Sequence, residues 1–346
     1  MEENTNVQEP GSNICSHCSI RSINPAHLTA LCDECREAFI KFPIPLWIKL
    51  FGAGVGVVLL FALFNLPSQL STAIHLERGK NAAKSHKFLT AQKELRQALK
   101  TVPNSTEGQA YMMISSYYNL DLEEFNTMAT SIGSKSIDDH ELYSWLEDVA
   151  GSATAFFPSD SFLVVMRAHG DAVDSIPDSV YEKFLAQFPE DIFPLIQYAS
   201  RIMDRDSIEK LRADSLLRHV LSVDKNQFVA MQLLSGLRRE EGDLPGSLKY
   251  CEQLIESNPE SSYGLSSKAR TLLKMKKDKE ALALAKNTYD MDNSSGYAQA
   301  TLCLAYHFNG KLKERDELMK EALKDTVKAG YMDYALDIIN NKKTFR

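Results

Sequence analysis

The stretch CSHCSIRSINPAHLTALCDEC, Cys15 to Cys35, holds four of the chain's six cysteines as two Cys-x2-Cys pairs with thirteen residues between them. A two-residue spacing lets a tight turn aim both sulfurs, and its own N–H groups, at one point; two such turns supply the four corners of a tetrahedron. The chemistry predicted is thiolate coordination of zinc by Cys15, Cys18, Cys32 and Cys35. Four thiolates fill the coordination shell and leave no position for water or substrate, so the zinc is expected to be structural, not catalytic. A pair of disulfides, reduced cysteines without a ligand, and iron in the same thiolate set are the alternatives. His17 and His27 lie inside the motif and are the candidates to replace a sulfur.

So short a segment, with few apolar residues, cannot build an adequate core and needs a metal or crosslinks to hold it. Residues 12–40 resemble the zinc-ribbon class of small metal domains. The resemblance implies a fold and names no partner.

Elsewhere the chain shows no His-Glu-x2-His, no Gly-x-Ser-x-Gly and no Walker loop. The eight histidines are scattered. Asp138 and Asp139 suit a helix N-terminus, where carboxylates complement the dipole, and His140-Glu141 beside them reads as surface. The expectation is a protein that is not an enzyme. A site assembled from distant residues would leave no local mark.

The formal charge is −7, and the first 45 residues carry six acids against three Lys plus Arg. A tetrathiolate zinc adds about −2 more. This argues against nucleic acid, whose phosphates call for a basic surface.

The elements that must position these groups begin with IPLWIKLFGAGVGVVLLFALFNL, Ile44 to Leu66, 23 residues with one charge, Lys49, near the start. At about 1.5 Å per residue it spans roughly 30 Å of hydrocarbon, and Lys49 lies where its side chain reaches the headgroups. A single transmembrane helix over 44–66 is predicted. Gly52 and Gly56 form a Gly-x3-Gly pair that lets two such helices approach closely, so a homodimer through the span is one option. Arg36, Lys41 and Lys49 crowd the N-terminal flank, whereas the first basic residue beyond Leu66 is Arg78. The positive-inside tendency and the reducing environment that zinc thiolates prefer both place the N-terminus in the cytosol. The C-terminal region is then extracytoplasmic, periplasmic in a bacterium. Cys251 and Cys303, unpaired in sequence, mildly oppose this.

From Ser68 onward the pattern is helical, rich in Ala, Leu, Glu and Lys. Asp224, Asn258 and Asp292 are each 34 residues apart and each follows a helix-like run. Gly79, Ala91 and Ala98 with Pro103 place small residues where two helices cross and a proline where the second must end; Ser235 and Ser247 with Pro259 repeat this in three positions of four, Leu254 standing where the third small residue would be. Ala269, Ala281 and Thr288, then Cys303 and Ala322, follow more loosely. Gly242-Asp243 and Asn309-Gly310 mark turns between the helices. This period and these positions resemble the tetratricopeptide repeat. The resemblance implies a right-handed superhelix whose concave wall grips peptides or proteins. Its groove-facing positions correspond here to Gln232, Arg239, Tyr263, Arg270, Tyr297 and His307, a set suited to an acidic or carboxylate-ended segment.

The expected order is a disordered tail over 1–11, a zinc-ribbon-like metal domain over 12–40, a transmembrane helix over 44–66, and an all-α tetratricopeptide-like solenoid over 70–341. Six or seven repeat-like units are expected, degenerate between 105 and 190. The function expected is that of a membrane-anchored interaction scaffold binding a protein or peptide. An enzyme-accessory or catalytic repeat protein, the reverse topology with the solenoid in the cytosol scaffolding soluble partners, and a signal transducer coupling ribbon to solenoid are the rivals.

Overall fold

The structure, a computed structural model, describes residues 13–40, 44–133 and 135–346, without the side chains of 63–67. The expected disordered tail and Lys41 lie outside the described residues. Two compact units are present, Met1–Ser68 and Gln69–Arg346.

In the first unit an isolated antiparallel bridge pairs Ile14 with Ser22, and Cys15 N–H donates to Arg21 O across the turn. Helix α1, Asp33–Ile40, follows, with Asp33 and Glu34 in its first turn, where acids suit the dipole. The first cysteine pair therefore sits in a turn, but the second straddles a helix start. Two matching turns were expected, and α1 stands where a ribbon would have its second hairpin.

Helix α2, Leu46–Lys84, continues well past Leu66, because the residues after Ser68 are good helix formers. Between Leu46 and Ala62 its apolar side chains point outward: Leu50, Phe51, Val57, Val58, Leu59 and Phe61 are all more than half exposed. Gly52, Gly54 and Gly56 face open space, with nothing within 4 Å of where a Cβ would be. A second apolar stretch, His140–Ala168, is not one helix. It breaks at a 3-10 turn, Ala153–Ala155, and at residues 156–159, and it buries Leu142, Leu146, Val149 and Phe162 in the second unit.

In the second unit the end of α2 pairs with α3, Phe88–Thr101, and α4, Thr106–Tyr118, with α5, Leu122–Ile132. Next come α6, His140–Ser152, α7, Asp160–Ala168, and α8, Asp178–Gln187, which are irregularly spaced, the last two being short. Regular pairs resume with α9, Ile192–Ile202, and α10, Ser207–Val223, then α11, Phe228–Glu241, and α12, Leu244–Ser257. The series closes with α13, Ser262–Lys274, α14, Asp278–Met291, α15, Gly296–Phe308, α16, Leu312–Ala322, and α17, Thr326–Ile339. Among the described residues the chain is all-helical apart from the Ile14–Ser22 bridge.

The crossings are tight where the sequence has small residues. A Cβ on Gly79 would lie 2.5 Å from Leu95 Cγ, and Ala91 and Ala98 are fully buried. Where α11 and α12 cross, Ser247 Oγ donates to Ser235 O at 2.7 Å and lies 2.8 Å from Thr271 Oγ1. Asp224, Asn258 and Asp292 are the C-caps of α10, α12 and α14. Gly242 takes φ +86° and Gly310 φ +70°, the left-handed turns that release the chain into the second helix of each pair. Ser261 and Ser295 cap α13 and α15, each hydroxyl accepting an N–H in the first turn, contacts worth about 1 kcal/mol apiece.

Early repeats touch late ones. Glu260 accepts from Thr90 N–H at 2.8 Å and Thr90 Oγ1 at 2.6 Å, Lys93 Nζ donates to Met291 O at 2.8 Å, and Asn258 Nδ2 donates to Tyr118 O at 3.2 Å. The irregular middle is filled by aromatics: Tyr117 meets Phe228 edge-on, and Tyr181 stacks on Tyr198.

Candidate functional site

Two places gather polar chemistry. In the first, the ligand atoms of Cys15, Cys18, Cys32 and Cys35 all lie within 4.8 Å of one another. All four are free thiols, and Cys18 Sγ and Cys32 Sγ are 3.9 Å apart, too far for a disulfide. Tetrahedral zinc with Zn–S of about 2.3 Å requires sulfurs about 3.8 Å apart, so the donor set fits the ion. Backbone N–H groups of Cys18, and then of Cys32, lower the Cys15 pKa to about 6. The histidines are engaged elsewhere: His17 packs edge-on against Phe39, and His27 Nε2 lies 3.7 Å from Asp33 Oδ1.

The second place lies on the first helices of the last regular pairs. Helices α11, α13 and α15 stand side by side, and α17 packs against α15. Arg239 projects from the last turn of α11 and Arg270 from α13, one on each of two adjacent helices. Both are almost completely buried. The Arg270 guanidinium lies 4.0 Å from the centroid of the Tyr297 ring and 5.4 Å from that of Tyr334, while its Nε donates to Thr301 Oγ1 at 2.8 Å. Tyr263 stacks on Tyr297 with ring centroids 5.4 Å apart and shares a hydrogen bond of 3.1 Å with the Tyr331 hydroxyl. Tyr334 donates to Glu240 Oε1 at 2.8 Å, and Lys274 Nζ lies 3.3 Å from Glu240 Oε2.

Three guanidinium nitrogens in this cluster have no hydrogen-bond acceptor: Arg239 Nε and Nη1, and Arg270 Nη2. Arg239 Nε and Glu240 Oε1 count as an ion pair at 3.7 Å, which is too long for a hydrogen bond. Ser266 Oγ, also buried, is unpartnered. A buried donor without a partner costs about 1–3 kcal/mol. The charges are unbalanced as well, with Arg239, Arg270 and Lys274 facing the single carboxylate of Glu240. Burial lowers the Arg270 pKa. At Tyr297 burial acts upward, but the two guanidiniums outweigh it and hold the phenol below its usual value. Glu240 is likewise held low: burial would raise it, and the Tyr334 hydrogen bond with the Arg239 and Lys274 charges outweighs that. Guanidinium forks, a polarised phenol and ring faces are groups that recognise carboxylates and flat surfaces.

Of the six residues assigned to the groove from sequence, Arg239, Tyr263, Arg270 and Tyr297 come together here. Gln232 stands two turns before Arg239 on α11, half-buried, and takes no part in the network. His307 ends α15, where its Nδ1 accepts from Arg315 Nη1 at 3.0 Å, tying α15 to α16. Sequence reasoning missed Tyr331 and Tyr334, which α17 lays over the wall, and Glu240 and Lys274, its acid and third cation. The signal available was a pair of tyrosines three residues apart on a helical face. A cavity of about 560 Å³ near Phe125, Phe157 and Asp191 lies elsewhere and gathers no comparable polar groups. Cys251 and Cys303 are fully buried, and burial pushes the Cys303 thiol up to about 12. Neither thiol is open to a labelling reagent.

No protein-family model matches the chain, and no curated protein does. Among solved structures it is similar to a tetratricopeptide repeat protein from Parabacteroides merdae at 14% identity and TM-score 0.40, covering 79% of this chain and 100% of that one. It is similar also to yeast Tom70, at 14% identity and TM-score 0.36, over 78% of this chain and 63% of that one. The TPR2AB domain of yeast Sti1, solved as a pHSP90 complex, aligns at 14% identity and TM-score 0.27, over 78% of this chain and 96% of that one. At this distance no residue's role carries over from them.

Proposed function

We propose that the protein is a membrane-anchored interaction scaffold whose helical-repeat domain binds a protein or peptide through the wall built by α11, α13 and α15. The observation that carries this reading is the pair of buried guanidiniums, Arg239 and Arg270, with donors left unpartnered on adjacent helices. Soluble proteins rarely leave such donors unsatisfied, and a partner's carboxylates are the groups that would satisfy them.

The anchor is the segment 44–66. The outward apolar side chains between Leu46 and Ala62 support a lipid environment, since a water-facing patch of that size is otherwise unusual. The N-terminus is cytosolic and the repeats extracytoplasmic, on the charge asymmetry given above. Cys15, Cys18, Cys32 and Cys35 hold a structural zinc that supplies what the small N-terminal domain lacks in core. Gly52 and Gly56, with an open face, suit close approach of a second span.

The test is co-purification of partners with the detergent-solubilised full chain against R239M/R270M, which removes both charges at similar volume. Loss of one or more partners from the variant is the expected outcome. An unchanged set of partners would discard the groove reading.

A further inference from the structure

The wall that should receive a partner is already covered, and the cover is part of the same chain. Helix α17 begins close against the start of α15: a Cβ on Gly296 would lie 2.6 Å from Tyr331 Cδ2 and 3.3 Å from Lys328 Cα. From there its tyrosines reach past α15, Tyr331 to Tyr263 on α13 and Tyr334 to Glu240 on α11. The residues that follow continue the cover. Phe345 is buried between Phe308 and the Lys274 ammonium, and Arg346 donates to Leu273 O and pairs with both Asp278 oxygens.

The chemistry of this cover is a poor match for what lies beneath it. The guanidiniums offer N–H groups, and α17 answers with ring faces. Its own carboxylates, Asp333 and Asp337, form no ion pair with either arginine. Packing holds α17 to α15 and α16, and its Met332, Ala335 and Ile338 are buried in the core these helices share. Towards α13 and α11, by contrast, it is held mainly by tyrosine tips. An element anchored on one side and mismatched on the other is built to be exchanged for a better ligand.

We propose that α17 and the segment through Arg346 form an internal plug over an anion-binding arginine pair, and that an acidic segment of a partner protein reaches Arg239 and Arg270 by displacing it. The inference rests on the groove reading and adds to it a closed state and the partner's sign of charge. While the plug is seated only the open fraction binds, so apparent affinity falls in proportion to that fraction. The partner's carboxylates take the donors that the plug leaves unsatisfied, Arg239 Nε and Nη1 and Arg270 Nη2.

The experiment uses the full chain in detergent with a fluorescein-labelled hexaglutamate peptide as probe, inorganic phosphate as competitor, and hydrogen exchange of residues 326–339 as the monitor of the plug. Y331A/Y334A removes both tyrosine contacts. Y331F/Y334F keeps the rings and removes only the hydroxyl bonds, which guards against a fold defect in the first variant. Faster exchange in α17 and peptide binding at least about tenfold tighter than wild type are expected for Y331A/Y334A, with a smaller gain for Y331F/Y334F. Adding R239M/R270M should return binding to background. Unchanged exchange in both variants would overturn the plug, as would freed α17 without tighter binding. A gain that survives R239M/R270M would overturn the arginine site. Phosphate displacing the peptide at equal charge concentration would assign the site to a free anion and overturn the acidic-segment claim. Arginine-dependent binding of equal strength in wild type and Y331A/Y334A would leave the groove reading standing and remove the plug alone.

Discussion

Two glycine-to-alanine substitutions separate helix crossing from helix propensity. Gly79 and Gly330 both lie inside helices, α2 and α17. Alanine in place of glycine in a helix interior favours the fold by about 0.5–1 kcal/mol, and this term is common to both sites. What differs is the space. At Gly330 the added methyl meets nothing within 4 Å, whereas at Gly79 it lies 2.5 Å from Leu95 Cγ, 2.7 Å from Cδ2 and 3.2 Å from the Leu95 backbone nitrogen. Carbon atoms pack comfortably at about 3.5–4.0 Å, so Leu95 must move by roughly 1 Å. Leu95 is fully buried, and α2 and α3 must part to let it move. Overpacking of this kind costs about 1–3 kcal/mol. G330A should therefore raise the unfolding midpoint of the repeats and G79A should lower it or leave it level. The gap between them equals the clash alone, or about 2–4 °C per kcal/mol for a large domain. Thermal melts of the full chain in one detergent, followed by circular dichroism, measure it. Equal shifts in the two variants would refute the close crossing at Gly79.

The remaining predictions concern the metal, the span and one histidine. Metal analysis of the purified chain should find about one zinc and no iron, and C32S should lose it while the repeats melt as before. V55K/V58K places two charges at the middle of the apolar run, an insertion cost of roughly 6–8 kcal/mol in sum, and should shift the protein from the carbonate-resistant membrane fraction to the soluble one. Burial first, then the Arg315 and Arg346 charges, holds the His307 pKa below its usual value. As pH falls below about 6.5, the unfolded chain takes a proton at this site that the folded chain resists, so stability falls with it. H307N should melt at a midpoint less sensitive to pH between about 6.5 and 5; a slope as steep as wild type would remove His307 from the account.

What the sequence made legible was whatever repeats locally. Gly79, Ala91 and Ala98 betray a crossing because a tight approach admits only small side chains. Asp224, Asn258 and Asp292 mark C-caps because each repeat ends by the same means. The cysteine spacing is equally local, although it did not reveal that Cys32 and Cys35 straddle the start of α1. The irregular middle was illegible because α6, α7 and α8 are held by aromatic packing, as Phe162 is among Tyr181, Phe184 and Phe193, and such packing has no period. The sequence places Arg239 and Arg270 on a concave wall that meets a partner, yet both are enclosed within the chain itself. No pattern within α11 or α13 says that a helix more than fifty residues later lies across them.

The ties from Thr90 to Glu260 and from Lys93 to Met291 join segments 170 and 198 residues apart. In an ordinary stack of repeats each unit answers only to its neighbours, and the outermost ones fray first. Here the stack bites its own flank like a split washer drawn shut, so its leading end cannot peel away without letting go of a distant one. Damage at either place is thereby felt at both, and the array should melt more nearly as a single body than a free-ended spring of the same length.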